Sequence, residues 1–345
     1  MLGRQAALLL PAVAGSVSWL RAKAQVACST SNIYSAGALV KDEKNVSIRV
    51  VTYNVRRFKS SDGTSTVPAI GDALAGLQPT LVALNEVDMR IRPESLTSVA
   101  ERLGGFSVAF FGHVRGQYGN ALLSKYPIKA IRETHLRGGT EVGFPAGTKK
   151  LNGEIAKEGE LHRIARGLLE CDIEIPEMSG RPGKLLTVAV THLDHINEAQ
   201  RKVQLTHVLE ALGPNTANAL LVGDLNALQR SDYADEEWAA LEERAKANSW
   251  GAPTSGCLDL LRDSGFTDAF AASRGHGPLS ARREASEDPI FSAHVGHPLY
   301  RIDYCFMSNA SGLLPQRAKV HTEIELSDHF PVSFDFAMPH MEARL

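Results

Sequence analysis

Seven short strings in this chain carry the acids, amides and imidazoles that hydrolytic phosphate chemistry uses. They are Val51–Asn54 (VTYN), Leu81–Glu86 (LVALNE), Gly119–Ile128 (GNALLSKYPI), Val190–Asp194 (VTHLD), Leu221–Asn226 (LVGDLN), Arg301–Phe306 (RIDYCF) and Ser327–Val332 (SDHFPV). Several follow an apolar run directly. Such a run ending in a polar residue reads as a buried strand that delivers that side chain to the rim of a sheet. Strands of this kind could converge carboxylates and imidazoles on one rim, the arrangement that metal-assisted attack on a phosphate ester needs.

A phosphodiester resists hydrolysis because the nucleophile meets anionic oxygens and the alkoxide leaves poorly. A divalent cation relieves both problems. Magnesium takes hard oxygen ligands and keeps several waters, so one or two carboxylates suffice. Glu86 is the first candidate ligand, with Asp328 and Asn54 as further metal-side groups. Asp224 and Asn226 stand two apart and share a face in an extended segment, with Gly223 relieving crowding before the acid. Asp224 could accept a proton from attacking water, and Asn226 could orient that water or a phosphate oxygen; an Asx turn is the plainer alternative. Asp328 and His329 are adjacent, so their side chains diverge and His329 needs another carboxylate. Asp303 is the candidate, since a carboxylate–imidazole pair fixes the tautomer and raises basicity. His192 could donate to a phosphoryl oxygen as charge builds. Asp194 is a supporting acid, and His195 reads equally well as plain surface. Asn54, Asn120 and Arg166 are the candidate substrate contacts, although Asn120 could instead cap a turn or hold a neighbouring acid. Arg166 belongs to a basic set with Lys149, Lys150, Lys157, His162 and Arg163. Most of that set reads as solvated charge, with Arg166 the one placed to meet an anion.

The elements that must position these groups are visible as periodicity. Folding is expected to begin near Val46 with an alternating strand. Val67, Ile70, Leu74 and Leu77 recur at helical spacing, and Leu96, Val99 and Leu103 follow Pro93 in the same way. Strands are expected at 81–84, 121–123, 164–175, 185–190, 219–222, 302–307, 320–325 and 332–336, and helices at 198–212 and 236–247. Residues 137–159 and 271–298 read as long surface loops. Helices and strands mix without strict alternation. This favours an α/β (α+β) fold, two packed mixed β-sheets flanked by helices in a four-layer sandwich, over a doubly wound parallel sheet.

The chain has 345 residues, enough for one large domain, and a formal net charge of −2, so no global basic field is present for long nucleic acid. No Walker A, GxGxxG, GxSxG or HExxH string occurs, which counts against nucleotide folds, serine hydrolases and zinc hydrolases. None of the four cysteines (Cys28, Cys171, Cys257, Cys305) pair at CxxC spacing, so they read as core or free thiols. Residues 1–41 contain no acid, and Arg4, Arg21 and Lys23 flank a mildly apolar stretch. That is the composition of a mitochondrial or secretory targeting segment, with a disordered tail on a cytoplasmic protein as the alternative. The catalytic domain is then expected over 46–340, and no later segment is apolar enough to span a membrane.

In this order, over about 46–336, the seven strings resemble the endonuclease/exonuclease/phosphatase (DNase I-like) superfamily. The resemblance implies a four-layer sandwich with its site at one end, dependence on Mg²⁺ or Mn²⁺, and a phosphate-ester substrate, with nucleic acid or a phospholipid head group as candidates. It makes Asn54 the first-strand asparagine, Glu86 the metal-binding glutamate, His192 the phosphate-contacting histidine, Asp224 and Asn226 the paired acid and amide, Asp303 the acid behind the last histidine, and Asp328-His329 the closing pair. His192 favours the diester-cleaving branches; a phosphomonoesterase on a phosphoinositide-type molecule and a non-catalytic binding protein on the same fold are the rivals. Asn85 stands where the family commonly has Gln, no tyrosine corresponds clearly to that of abasic-site enzymes, and the loop at 137–159 is long. Leaving group and oligomeric state stay open.

Overall fold

A computed structural model describes residues 46–90, 92–144, 147–148, 154–176, 184–275, 278–280 and 289–338. The expected targeting segment and Cys28, Lys149 and Lys150 lie outside these residues. The strands are β1 (Val46–Asn54), β2 (Leu81–Asp88), β3 (Ser107–Val114), β4 (Tyr118–Ser124), β5 (Ile128–His135), β6 (Glu141–Gly143), β7 (Leu161–Arg163), β8 (Gly167–Ile175), β9 (Lys184–Thr191), β10 (Ala219–Asp224), β11 (Phe266–Asp268), β12 (Asp303–Ser308), β13 (Leu314–Val320) and β14 (Val332–Met338). The helices are α1 (Val67–Gly76), α2 (Ser95–Arg102), α3 (Glu198–Leu212), α4 (Asp235–Ala247), α5 (Gly256–Asp263) and α6 (Ala269–Ser273).

Alternation along the strands decides the layering. In β1, Ile48 and Val50 join an apolar cluster with Val188, Val190, Leu220 and Val222 of the other sheet, while Val51 and Tyr53 pack with Ile70, Leu74 and Val99 of α1 and α2. In β10, Ala219 and Leu221 turn the other way, onto Leu205, Val208 and Leu258 of α3 and α5. Both faces of the central strands are therefore apolar, which is what a sheet covered on both sides requires. The result is a helix–sheet–sheet–helix sandwich of two six-stranded mixed sheets, ordered β13-β14-β1-β2-β4-β3 and β11-β12-β10-β9-β8-β5.

Each sheet has one central parallel pair, β1 with β2 and β9 with β10, flanked by antiparallel neighbours such as β14 and β12. The carboxyl ends of the parallel strands and the amino ends of β12 and β14 thus share one rim. Register makes this concrete: Asn54 lies opposite Asn85, and Asp224 opposite Asp303.

Two expectations need correction. The strand expected at 320–325 runs instead at 314–320, because Gln316, Arg317 and Lys319 on a half-exposed edge hide its alternation, whereas His321–Ile324 closes a turn. The segment 137–159 is not wholly irregular: β6 within it pairs with β7. Three-residue strands carry too little period to be read. Cys171, Cys257 and Cys305 are buried free thiols. No helix among the described residues is long and apolar enough to cross a membrane.

Candidate active site

The rim holds a pit centred on Asp224, a side chain almost wholly removed from water. Its placement depends on Gly223, whose φ of +136° is in the region that favours glycine. A Cβ there would lie 2.1 Å from the Thr191 carbonyl oxygen and 2.9 Å from Asn85 Oδ1. The close approach lets the Asp224 N–H donate to Asn85 Oδ1 at 2.9 Å. The Asn85 amide also donates to Asn120 Oδ1 at 2.9 Å and to the Thr191 carbonyl at 3.1 Å, and the Asn120 amide donates to the Gly167 carbonyl at 2.8 Å. Asn85 and Asn120 are fully buried and clasp the two sheets together beneath the pit. Asn120 is therefore corrected from a substrate contact to a structural one: its amide is spent on backbone and on Asn85. The departure from the family's Gln at position 85 is an amide used in the same clasp.

Glu86 stands at an irregularity in the β2–β4 register, with φ +59°, so the backbone turns this half-exposed acid over the rim. Asn54 ties it to the centre. Its Nδ2 donates to Glu86 Oε1 at 3.0 Å and to Asp224 Oδ2 at 3.1 Å, while its Oδ1 accepts from the Arg56 N–H at 3.1 Å. Asp328 is half-exposed, with Oδ2 3.6 Å from Arg56 Nε, and Ser327 Oγ donates to the Asn54 carbonyl at 2.7 Å.

Two imidazoles from other segments meet Asp224. His329 Nε2 lies 3.7 Å from Asp224 Oδ2, and His329 Nδ1 bonds Asp303 Oδ2 at 2.8 Å. Ser292 Oγ donates to the same Asp303 oxygen at 2.7 Å. Burial alone would lower the His329 pKa, but the charge and bond of Asp303, with the charge of Asp224, raise it to about 10. Burial pushes the Asp224 carboxyl up to about 7 against the pull of His329. His192 Nε2 lies 3.5 Å from Asp224 Oδ2, and its Nδ1 is 3.0 Å from Arg166 Nη1. A guanidinium can only donate, so Nδ1 accepts and the ring proton sits on Nε2, facing the pit. Burial and then the Arg166 charge keep His192 neutral, well below its ordinary pKa. Asn226, with φ +49°, closes an Asx turn through its N–H to Asp224 Oδ1 at 3.0 Å, and its amide donates to the Leu193 carbonyl at 3.1 Å. The turn and a rim position thus occur together.

The remaining candidates spread outward. Arg166 is buried, and His195, exposed, has its Nδ1 3.3 Å from Arg166 Nη2. Asp194 does not face the pit; it accepts from Thr140, Ile196 and Asn197 and pins the start of the 137–159 segment. Sequence reasoning missed Tyr118. Its hydroxyl faces Glu86 and its pKa is pushed well up, by burial first and then by that carboxylate. The only sequence signal was its position directly before the Gly119–Ile128 string.

Residues 51–329 match the Endonuclease/Exonuclease/phosphatase family, and the chain belongs to it. Among curated relatives it is similar to YbhP of Escherichia coli strain K12, 27% identical over 303 residues, covering 83% of this chain and 95% of that one. Among solved structures, an endonuclease/exonuclease/phosphatase family protein of Bacteroides thetaiotaomicron superposes with TM-score 0.57 at 16% identity, covering 86% of this chain and all of the other. A mannosyl-6-phosphatase of B. thetaiotaomicron VPI-5482 superposes with TM-score 0.55 at 17% identity, covering 84% and 99%. These structural likenesses establish the shared fold. Members of the family are typically hydrolases of phosphoesters and generally use a divalent metal.

The donor chemistry fits a hard divalent cation. Glu86 offers a carboxylate at the open rim, and Asp224, Asp303 and His329 offer ligand atoms within 4.8 Å of one another. In that trio Asp303 Oδ2 is engaged by His329 and Ser292, while its Oδ1 is buried with no hydrogen-bond partner. Glu86, at the open rim, is the more accessible anchor.

Proposed function

We propose that the protein hydrolyses a phosphodiester with Mg²⁺ or Mn²⁺ held on the Glu86 side of the pit, with Asp328 and the Asn54 amide as further polar groups there. The observation that carries this reading is the convergence of Asn54, His192 and His329 on Asp224. When bound, the cation supplies Lewis-acid neutralisation of the phosphoryl oxygens and of the leaving oxygen.

The chain's own groups divide the remaining work. Asp224, with its raised pKa, takes a proton from water as the new O–P bond forms in line with the breaking one. His329, an imidazolium fixed by Asp303, gives its proton toward the departing alkoxide. His192 presents Nε2–H to a phosphoryl oxygen, and Arg166 holds the ring in that tautomer. Asn226 borders the same space. The diester preference rests on His192, whose neutral ring turns Nε2–H to the pit, the group that the resemblance ties to the diester-cleaving branches.

The test is turnover of bis(p-nitrophenyl) phosphate, p-nitrophenyl phosphate and supercoiled plasmid with Mg²⁺, Mn²⁺ or chelator. Diester cleavage that stops with chelator, and falls about two to three decades in Asp224→Asn, is expected. Unchanged rate in Asp224→Asn, or no diester cleavage with either metal, overturns the reading.

A further inference from the structure

Next to Glu86 lies a cleft of about 170 Å³ that hydrolysis at Asp224 does not use. Its lining brings Arg57, Lys59 and Arg92 together with Asp88, Ser65 and Ser95. Asp88 is already neutralised by Arg90, which donates to its two carboxylate oxygens at 2.8 and 2.6 Å. Asp88 Oδ2 also lies 3.9 Å from Arg57 Nε, so the lining's three cations face one carboxylate that Arg57 shares with Arg90. Among the described residues no ion pair takes up Lys59 or Arg92, and both reach water.

The backbone that presents two of these cations is strained. Arg56, Arg57 and Phe58 have φ of +43°, +59° and +54°, three successive left-handed positions with no glycine among them. Such a turn persists only where its surroundings over-determine it, and it commonly marks a functional segment. Here Phe58 is buried, its N–H donates to the Val55 carbonyl at 2.7 Å, and its carbonyl accepts from the Thr66 N–H at 2.9 Å. The turn starts directly after Asn54 and carries Arg57 and Lys59 to the cleft. The Arg57 guanidinium carbon is 5.9 Å from the centroid of the Tyr118 ring, whose hydroxyl faces Glu86. The cleft thus borders the pit on its Glu86 side.

We propose that this cleft binds a second phosphate group, carried on the same substrate molecule as the scissile one. The inference rests on the phosphoesterase reading for the word substrate, but the site itself is independent of turnover. The excess positive charge of Lys59 and Arg92, with the Ser65 hydroxyl on the wall, suits a phosphate, and the volume suits one such group rather than an acyl chain or a stacked base.

Isothermal calorimetry on the full chain tests it with two product-like pairs: thymidine 3′,5′-bisphosphate against thymidine 5′-monophosphate, and inositol 1,4-bisphosphate against inositol 1-phosphate. At least one bisphosphate should bind tenfold or more tightly than its monophosphate. That preference should fall to within twofold in Lys59→Glu and in Arg92→Glu, both surface changes. The pair that shows it tells whether a nucleoside or a polyol carries the group. Equal affinity within both pairs, or a preference that survives both variants, overturns the proposal. Turnover of diesters is read separately: a retained bisphosphate preference with no hydrolysis under Mg²⁺ or Mn²⁺ refutes the phosphoesterase reading and leaves the phosphate site standing.

Discussion

Asp303→Asn isolates the charge that sets His329. The two side chains are 2.8 Å apart and both are buried. At an effective dielectric constant of about 20, opposite unit charges at that distance attract by about 6 kcal/mol. At about 1.4 kcal/mol per pKa unit, that is roughly four units. Asparagine retains the shape and an acceptor oxygen but not the charge. His329 should therefore fall from about 10 to below its ordinary value, because the burial that opposes its protonation remains. The sign for stability follows. A raised imidazole pKa stabilises the fold fully below the unfolded value near 6.5, and the contribution is lost as pH rises through about 10. The variant should lack that alkaline loss. The assay is an NMR titration of ¹³C-histidine-labelled protein in chelator, with diester turnover at pH 7.5 measured in parallel. Ser292→Ala is the control, since it removes the 2.7 Å bond to Asp303 and leaves the charge. A His329 midpoint near 10 in Asp303→Asn, or turnover equal to the parent, would refute the reasoning.

Two other outcomes depend on single contacts. Gly223→Ala should lower stability by several kcal/mol and displace Asp224, because the new methyl group meets the Thr191 carbonyl at 2.1 Å in a backbone conformation that alanine rarely adopts. Urea denaturation together with kcat checks both halves, and a loss under about 0.5 kcal/mol contradicts the geometry. His113 is buried with neither ring nitrogen bonded, and burial, then the Arg166 charge, lower its pKa to about 3. Its folded pKa is depressed, so its contribution is present above pH 6.5 and is lost as pH falls toward 3. His113→Phe should remove about 2 kcal/mol of the stability lost between pH 6.5 and 5, which denaturation curves at the two pH values measure directly.

What could be read from the chain divides along the range of each interaction. The sandwich was legible because burial on two faces leaves continuous apolar runs in β2, β9 and β10, and because a polar residue ending such a run is unusual. The convergence on Asp224 was legible for the same reason: four of the strings end strands that share one rim. Edge strand β13 and the short pair β6 and β7 were not legible, since half-exposed or three-residue strands carry little period. The roles of Asn85 and Asn120 were hidden more deeply. Asn120 reads from sequence as a substrate contact and Asn85 only as a departure from the family's Gln, and only a partner from the facing sheet turns each amide into a clasp. Asn85 bonds Thr191, which is 106 positions away, and receives the N–H of Asp224, which is 139 away. No local pattern reports such a contact. A buried amide between two sheets is costly unless every bond is made, so the clasp holds Asp224 in one place, and the reactivity of that carboxylate is set as much by Asn85 and Gly223 as by the charged groups it faces.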